Sequence, residues 1–295
     1  MPGRAPAAGQ VLSGRVTTGM RNCIILGSGR SGTSMVAGTL AASGYYLGGT
    51  LLPPTDANPR GYFESREVEH LNEILVATML YPSWRERALG WLRPIPVQPD
   101  FTALPISSRA RWLALIPTWR RPFMRPDYAE RMRTLVSHQP YCFKDPRFSY
   151  TLTAWRPYLQ NTAFVCVFRD PGVTARSIVK EVQNAEYLKG LDVDFGRALE
   201  VWRWVYQHVL QVHRHEGDWL FLHYDQVLSG DGLDRLQRHL DAPVDRGFVD
   251  ARLRRTCSQD AVPVEVRRLY AELCRLAEYE PPPAAAAPEA VGGSR

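Results

Sequence analysis

The sequence predicts a three-layer α/β/α fold, a central parallel sheet between two layers of helices. Two observations carry that expectation. The short apolar runs Cys23–Leu26, Tyr141–Phe143, Thr162–Phe168 and Trp219–His223 have the length and the aromatic or β-branched content of buried strands. Each run gives way to turn residues and then to apolar residues spaced three and four apart, the period of a helix. Strands that alternate with helices pair in parallel, with the helices covering both faces of the sheet. The chain has 295 residues, of which 45% are hydrophobic, enough for the core of one large domain.

Taken in order, residues 1–20 are rich in Ala, Gly, Pro and Arg without an apolar stretch, and read as a disordered leader rather than a signal peptide. The domain is expected over residues 21–279. Its first strand, Cys23–Leu26, runs into a glycine-rich turn, Gly27 to Gly32, and a helix opens at Thr33 and extends to about Ser43. A proline- and glycine-rich loop, Pro53 to Glu64, precedes a helix from Ser65 to about Met79, with Leu71, Ile74, Leu75 and Met79 on one face. Residues 81–139 interrupt the alternation. They hold Trp84, Trp91, Trp112 and Trp119 among prolines and arginines, with amphipathic fragments near 107–116 and 127–137. Three readings stand for this insertion: a lid over an acceptor, a patch making weak contact with a membrane surface, or a helical cap whose tryptophans fill their own core.

Alternation then resumes. The strand Tyr141–Phe143 ends in Lys144-Asp145-Pro146-Arg147, and a helix is predicted near 150–159. The strand Thr162–Phe168 ends in Arg169-Asp170-Pro171, and helices are predicted over 173–185 and 195–213. After Trp219–His223 the pattern predicts helices near 233–240 and 264–276, then a disordered Pro/Ala tail over 280–295.

The net charge is +6, which suits an anionic ligand. The arginines are scattered and form no nucleic-acid-binding module, so no nucleic-acid partner is expected. Cys23, Cys142, Cys166, Cys257 and Cys274 are an odd set without a Cys-x-x-Cys pair, which reads as buried free thiols in a reducing, cytoplasmic compartment. No apolar run approaches the ~20 residues of a membrane span.

Strand, glycine loop and helix in succession make a phosphate cradle, because glycines let backbone N–H groups turn inward and the helix start favours an anion. Gly27 and Gly32 have the separation of a Walker A loop, yet Thr33 stands where its lysine belongs, and the loop's cation is Arg30. A kinase or nucleotide hydrolase needs that lysine at the β/γ-phosphates.

The stretch Arg30-Ser31-Gly32-Thr33-Ser34 resembles the 5′-phosphosulfate loop of the sulfotransferases that use 3′-phosphoadenosine 5′-phosphosulfate (PAPS). Phe168-Arg169-Asp170-Pro171 with Arg176-Ser177 resembles their 3′-phosphate motif. Asn58 to Glu64 and Lys144 to Arg147 are similar to segments of the bacterial branch. The resemblance spans roughly residues 22–230. It implies a P-loop, nucleotide-triphosphatase-like fold, transfer of a sulfuryl group from PAPS to a hydroxyl-bearing acceptor with release of adenosine 3′,5′-bisphosphate (PAP), and no metal. The acceptor is left open among small molecules, carbohydrates and lipids, as is the oligomeric state.

On that resemblance Gly29, Arg30, Ser31, Gly32, Thr33 and Ser34 hold the 5′-phosphosulfate, and Arg169 and Ser177 the 3′-phosphate. Arg30 and Lys144 are the cations expected over the departing group. The histidine base of cytosolic relatives is missing, because Pro146 fills its place; Glu64 is the favoured base, with Asp56, His70 and Asp145 behind it. The Arg-Lys-Gly loop of those relatives is missing too, and Arg252, Arg254 and Arg255 are candidates to replace it. Glu64 has a bland alternative as a charge beside a helix start. Two other functions remain open at this stage: an ATP-dependent P-loop kinase using Asp145 or Asp170 to hold a metal, and a nucleotide-binding protein without catalysis.

Overall fold

The computed structural model describes residues 19–56, 58–80, 109–250, 252, 256, 258 and 260–282. Among these, β1 (Asn22–Leu26), β2 (Cys142–Lys144), β3 (Thr162–Phe168) and β4 (Asp218–His223) form one sheet in the spatial order β2-β1-β3-β4. Every pairing is parallel: Ile25 lies opposite Lys144, Leu26 opposite Cys166, and Phe168 opposite His223. All carboxyl ends therefore share one edge.

Alternate residues of each strand build two separate cores, as a sheet covered on both sides requires. Ile24, Leu26, Phe143, Phe164, Cys166 and Phe168 face one layer. This layer holds α2 (Arg66–Leu80), α3 (Pro126–Val136), α4 (Phe148–Trp155), α5 (Pro171–Asn184), α6 (Phe195–His208) and α9 (Val264–Leu276). Cys23, Ile25, Ala163, Val165 and Val167 face the other, formed by α1 (Thr33–Leu40) and α8 (Asp231–Leu240). This is the expected α/β/α arrangement.

Several boundaries differ from the sequence reading. The second strand lies one residue later, so Lys144 is its last member, while Tyr141 makes only an isolated bridge to Tyr46. Helix α1 ends at Leu40 in a turn through Gly44, and α4 gives way to a 3₁₀ turn at Arg156–Tyr158, where Pro157 supplies no N–H. The predicted helix over 195–213 is α-helical to His208 and then widens into a π turn, Val209–His213. A short helix, α7 (Tyr224–Ser229), starts directly from β4 with His223 as its cap and has no periodic signal in the sequence.

Residues 1–18 of the leader expected over 1–20, residues 283–295 of the tail expected over 280–295, and Trp84 and Trp91 of the insertion lie outside the described residues. From Ala110 onward the insertion is part of the first layer: Trp112, Leu113, Leu115 and Ile116 are buried in its core. Trp119 is exposed. No described helix is long and apolar enough to cross a membrane. Cys23, Cys142, Cys166 and Cys274 are buried free thiols, and Cys257 lies outside the described residues.

Candidate active site

The glycine loop leaves β1 at the carboxyl edge of the sheet. Its shape is fixed from within: the Ser31 N–H donates to the Ser28 carbonyl (3.2 Å), and Arg30 adopts a left-handed backbone with φ 70°. Gly29 packs beneath the Trp112 indole, where a Cβ would come within 2.5 Å of the ring. Gly32 is the N-cap of α1 at φ 96°, and no side chain caps that helix. The N–H groups of the first turn have no partner within the helix, and Gly32, Thr33 and Ser34 border a cavity of about 890 Å³. An anion there meets both backbone donors and the positive helix end.

Ser31 departs from its expected role. Its side chain turns away from the cavity, and its Oγ lies 3.0 Å from the hydroxyl of Tyr206 on α6.

The two halves of the expected cofactor grip meet. Arg30 Nε donates to Ser177 Oγ on α5 (3.2 Å), and the Arg30 guanidinium lies 3.4 Å from the Glu181 carboxylate one turn further on. Arg169, at the end of β3, is 93% buried, with its guanidinium over the Tyr224 ring at 4.2 Å and a hydrogen bond to the Thr256 carbonyl (3.2 Å). Arg176, beside Ser177, turns outward to Asp260. Arg252 is exposed and pairs with Asp250, while Arg254 and Arg255 lie outside the described residues.

Glu64 is delivered by a closed loop. The Leu52 N–H donates to the Glu64 carbonyl (2.9 Å) and the Arg66 N–H to the Thr50 carbonyl (2.8 Å), so the segment leaves and returns as a short antiparallel ribbon. Ser65 Oγ accepts from the Val68 N–H at the start of α2 and donates to Glu67 (2.6 Å). The helix start is thus served by Ser65 and Glu67. The Glu64 side chain points inward and is paired with Lys144 Nζ, which also donates to Ser34 Oγ on α1 (3.2 Å). Lys144 is partnered by Glu64 rather than by Asp145.

Asp145 is claimed instead by Arg147, whose N–H and Nη1 both reach Oδ1 (2.8 and 3.0 Å). Arg147 also donates to Glu73 (2.5 Å) and to the Arg109 carbonyl (2.9 Å), and lies 3.6 Å from Glu69 and 3.9 Å from Glu64. Burial pushes the Glu64 carboxyl above its ordinary value, against the pull of Lys144 and Arg147. Burial likewise pushes Glu69, which borders the same cavity, up to about 7.

Asp56 lies exposed at the cavity rim, and His70 is exposed on α2, outside the cavity lining. His208 and His213 are buried against backbone carbonyls and held down to about 4 and about 3 by burial, so both are neutral structural groups at pH 7. Sequence reasoning missed Arg147, Glu69 and Tyr206 as parts of the site, while Trp112, from the insertion weighed as a lid, lines the cavity. Of the three, only Arg147 had a signal, as the last residue of the Lys144-to-Arg147 segment.

The glycine loop, a second cation at the end of β3 and a buried carboxylate–lysine pair thus converge on one cavity at the carboxyl edge, where open parallel sheets bind ligands. No family model matches the chain, and no curated protein matches it. Among solved structures, it is similar to the sulfotransferase domain from the Synechococcus PCC 7002 olefin synthase, at 16% identity over 88% of this chain and 95% of that one, with a TM-score of 0.47. It is also similar to the sulfotransferase domain from the curacin biosynthetic pathway (14% identity, 89% and 99% covered, TM-score 0.44). Sulfotransferase STF9 from Mycobacterium avium gives 14% identity, 88% and 78% covered, and a TM-score of 0.43. These likenesses run along nearly the whole chain but are too distant to carry an argument about activity.

Proposed function

We propose that this chain is a sulfotransferase that takes its sulfuryl group from PAPS and gives it to a hydroxyl-bearing acceptor. The observation that supports this most is the shared cavity bordered by Arg30, Ser34, Glu64, Lys144, Arg169 and Ser177. The donor, when bound, supplies the sulfuryl group. The first turn of α1 is placed to hold its 5′-phosphate, and Arg169 with Ser177 its 3′-phosphate.

Arg30 and Lys144 flank the loop and would cover the charge that grows on the leaving oxygen. Glu64 takes the proton of the acceptor hydroxyl on a carboxylate oxygen. Its buried position keeps it a stronger base than an exposed glutamate, while its pairing with Lys144 keeps it ionised and oriented. The two carboxylates weighed for a kinase are committed elsewhere: Asp145 to Arg147, and Asp170 as the cap of α5, accepting from the Val173 N–H (2.8 Å).

A thermal-shift series with PAP, PAPS, ATP and GTP tests the reading. Stabilisation by PAP and PAPS above that by adenosine 5′-phosphate is expected. Stabilisation by ATP with magnesium and none by PAP overturns it. Release of PAP from PAPS in the presence of an alcohol and phenol panel then separates an enzyme from a protein that only binds.

A further inference from the structure

Helix α6 carries two aromatic side chains one turn apart, Trp202 and Tyr206, both fully buried and 4.6 Å apart between ring centroids. Their spacing alone reads as core filling. Their polar tips show otherwise. The Tyr206 hydroxyl accepts from the Ser28 N–H (3.1 Å), lies 3.0 Å from Ser31 Oγ and donates to the Val167 carbonyl (2.8 Å). It therefore ties the glycine loop to the carboxyl end of β3. The Trp202 indole N–H donates to the Arg169 carbonyl (3.2 Å), the backbone of a residue that lines the same cavity.

We infer that Trp202 and Tyr206 are positioning residues, a brace through which one rigid helix sets the place of both anion-holding segments relative to each other. The physical need is clear. A loop with a left-handed arginine and several glycines has many alternative shapes, and holding one of them costs conformational entropy that a buried three-way hydrogen bond offsets. Arg169 faces the same problem, since a guanidinium finds its phosphate only where its backbone places it. A ligand with two phosphates at fixed separation gains affinity when both holders are set in advance. Ser31 belongs to this brace and not to the ligand's contacts, because its N–H and hydroxyl are both turned inward.

The identity of the two phosphates rests on the proposed function; the brace itself does not. Tyr206→Phe and Trp202→Phe each keep an aromatic ring and delete one polar tip. With calorimetric titration of PAP, adenosine 5′-phosphate and adenosine 3′-phosphate, Tyr206→Phe is expected to weaken the first two about ten-fold while sparing the third, the loss typical of one buried hydrogen bond. Trp202→Phe is expected to weaken PAP and adenosine 3′-phosphate and to spare adenosine 5′-phosphate. A merely structural role would weaken all three alike. That result, or no loss at all, overturns the brace.

Hydrogen exchange of the unliganded protein provides an arm that needs no nucleotide. Tyr206→Phe should speed exchange in the peptide 27–34 and leave β3 and α6 protected, and unchanged exchange there also overturns the inference. Should the wild type bind none of the three nucleotides, the proposed function fails and the exchange result alone decides the brace. Should Tyr206→Phe not fold, Ser31→Ala removes one partner of the same hydroxyl and is expected to give the same selective pattern at smaller size.

Discussion

Replacing Glu64 with Gln separates the chemistry of its carboxylate from its shape. The amide fills the same volume and still offers an oxygen to Lys144 Nζ, which keeps its second bond to Ser34 (3.2 Å). What is lost is a negative charge and a site for a proton. A general base contributes about 10²–10⁴-fold, equivalent to roughly 3–5 kcal/mol of barrier. The expected kcat falls by that factor. Loss of the buried charge beside Lys144 leaves an anionic donor bound at least as well, so Kd for PAP should stay within about three-fold.

The pH dependence gives a second, independent reading. Burial raises the Glu64 carboxyl above its ordinary value, so the wild-type kcat/KM should fall on the acid side as that group gains its proton. In Glu64→Gln this acid limb should vanish. PAP release from PAPS, followed across pH with an alcohol and phenol panel, measures both quantities. A variant that keeps the acid limb and loses under about three-fold in rate would refute the role of Glu64 as base.

Arg30→Ala should lower kcat by about 10²–10³-fold, the loss seen when one preorganised donor to developing charge is removed; a near wild-type rate with an unchanged circular-dichroism spectrum contradicts it. Arg169→Ala should weaken PAP by about 1.5–3 kcal/mol, the range of a hydrogen bond to a charged group, and leave adenosine 5′-phosphate unaffected in the same titration. Glu69, raised to about 7 from an unfolded value near 4.5, contributes stability that is whole below the unfolded value and is lost as pH rises through 7. Urea melts of Glu69→Gln should lack that decline. The same ionisation brings a negative charge to the cavity, so PAP should bind several-fold more weakly above pH 7 in the wild type and not in Glu69→Gln.

The sheet was legible because its strands are buried on both faces and hence apolar throughout, as in Cys23–Leu26 and Thr162–Phe168. Arg30, Glu64 and Lys144 were legible because each stands at a chain position where strand, turn and helix meet, and all three border the cavity. The brace was not. Trp202 and Tyr206 lie on a helix remote in sequence from the segments they bond, and an aromatic pair at helical spacing has the same pattern whether its polar tips are used or idle. The partner of Lys144 was hidden for a related reason. Asp145 is its neighbour in sequence, but adjacent residues of a strand point to opposite sides, and only the return of the 52–64 ribbon brings Glu64 to the lysine.

Arg147 accounts for the choice among the carboxylates gathered here. Its guanidinium is 98% buried and reaches Glu73, Asp145 and the Arg109 carbonyl, a use of the planar fork that a lysine has no means to reproduce. Glu64, Glu69, Glu73 and Asp145 lie within ion-pair distance of Arg147, while Lys144 and Arg111 supply the further cations. Arg109 also acts on Glu69, so the cluster has as many cations as carboxylates. Even a matched charge is costly to bury, and a proton on the acid lowers that cost. Burial raises the carboxyls of both Glu64 and Glu69, the latter to about 7. Glu69 sits in the first turn of α2 and leans on Arg147, whereas Glu64 precedes that helix and shares Lys144 with Ser34 at the start of α1. A base must lie within hydrogen-bond reach of the hydroxyl that attacks beside the loop. On the proposed function Glu64 is the carboxylate tied through Lys144 to the start of α1, where the donor would sit, and Glu69 is not.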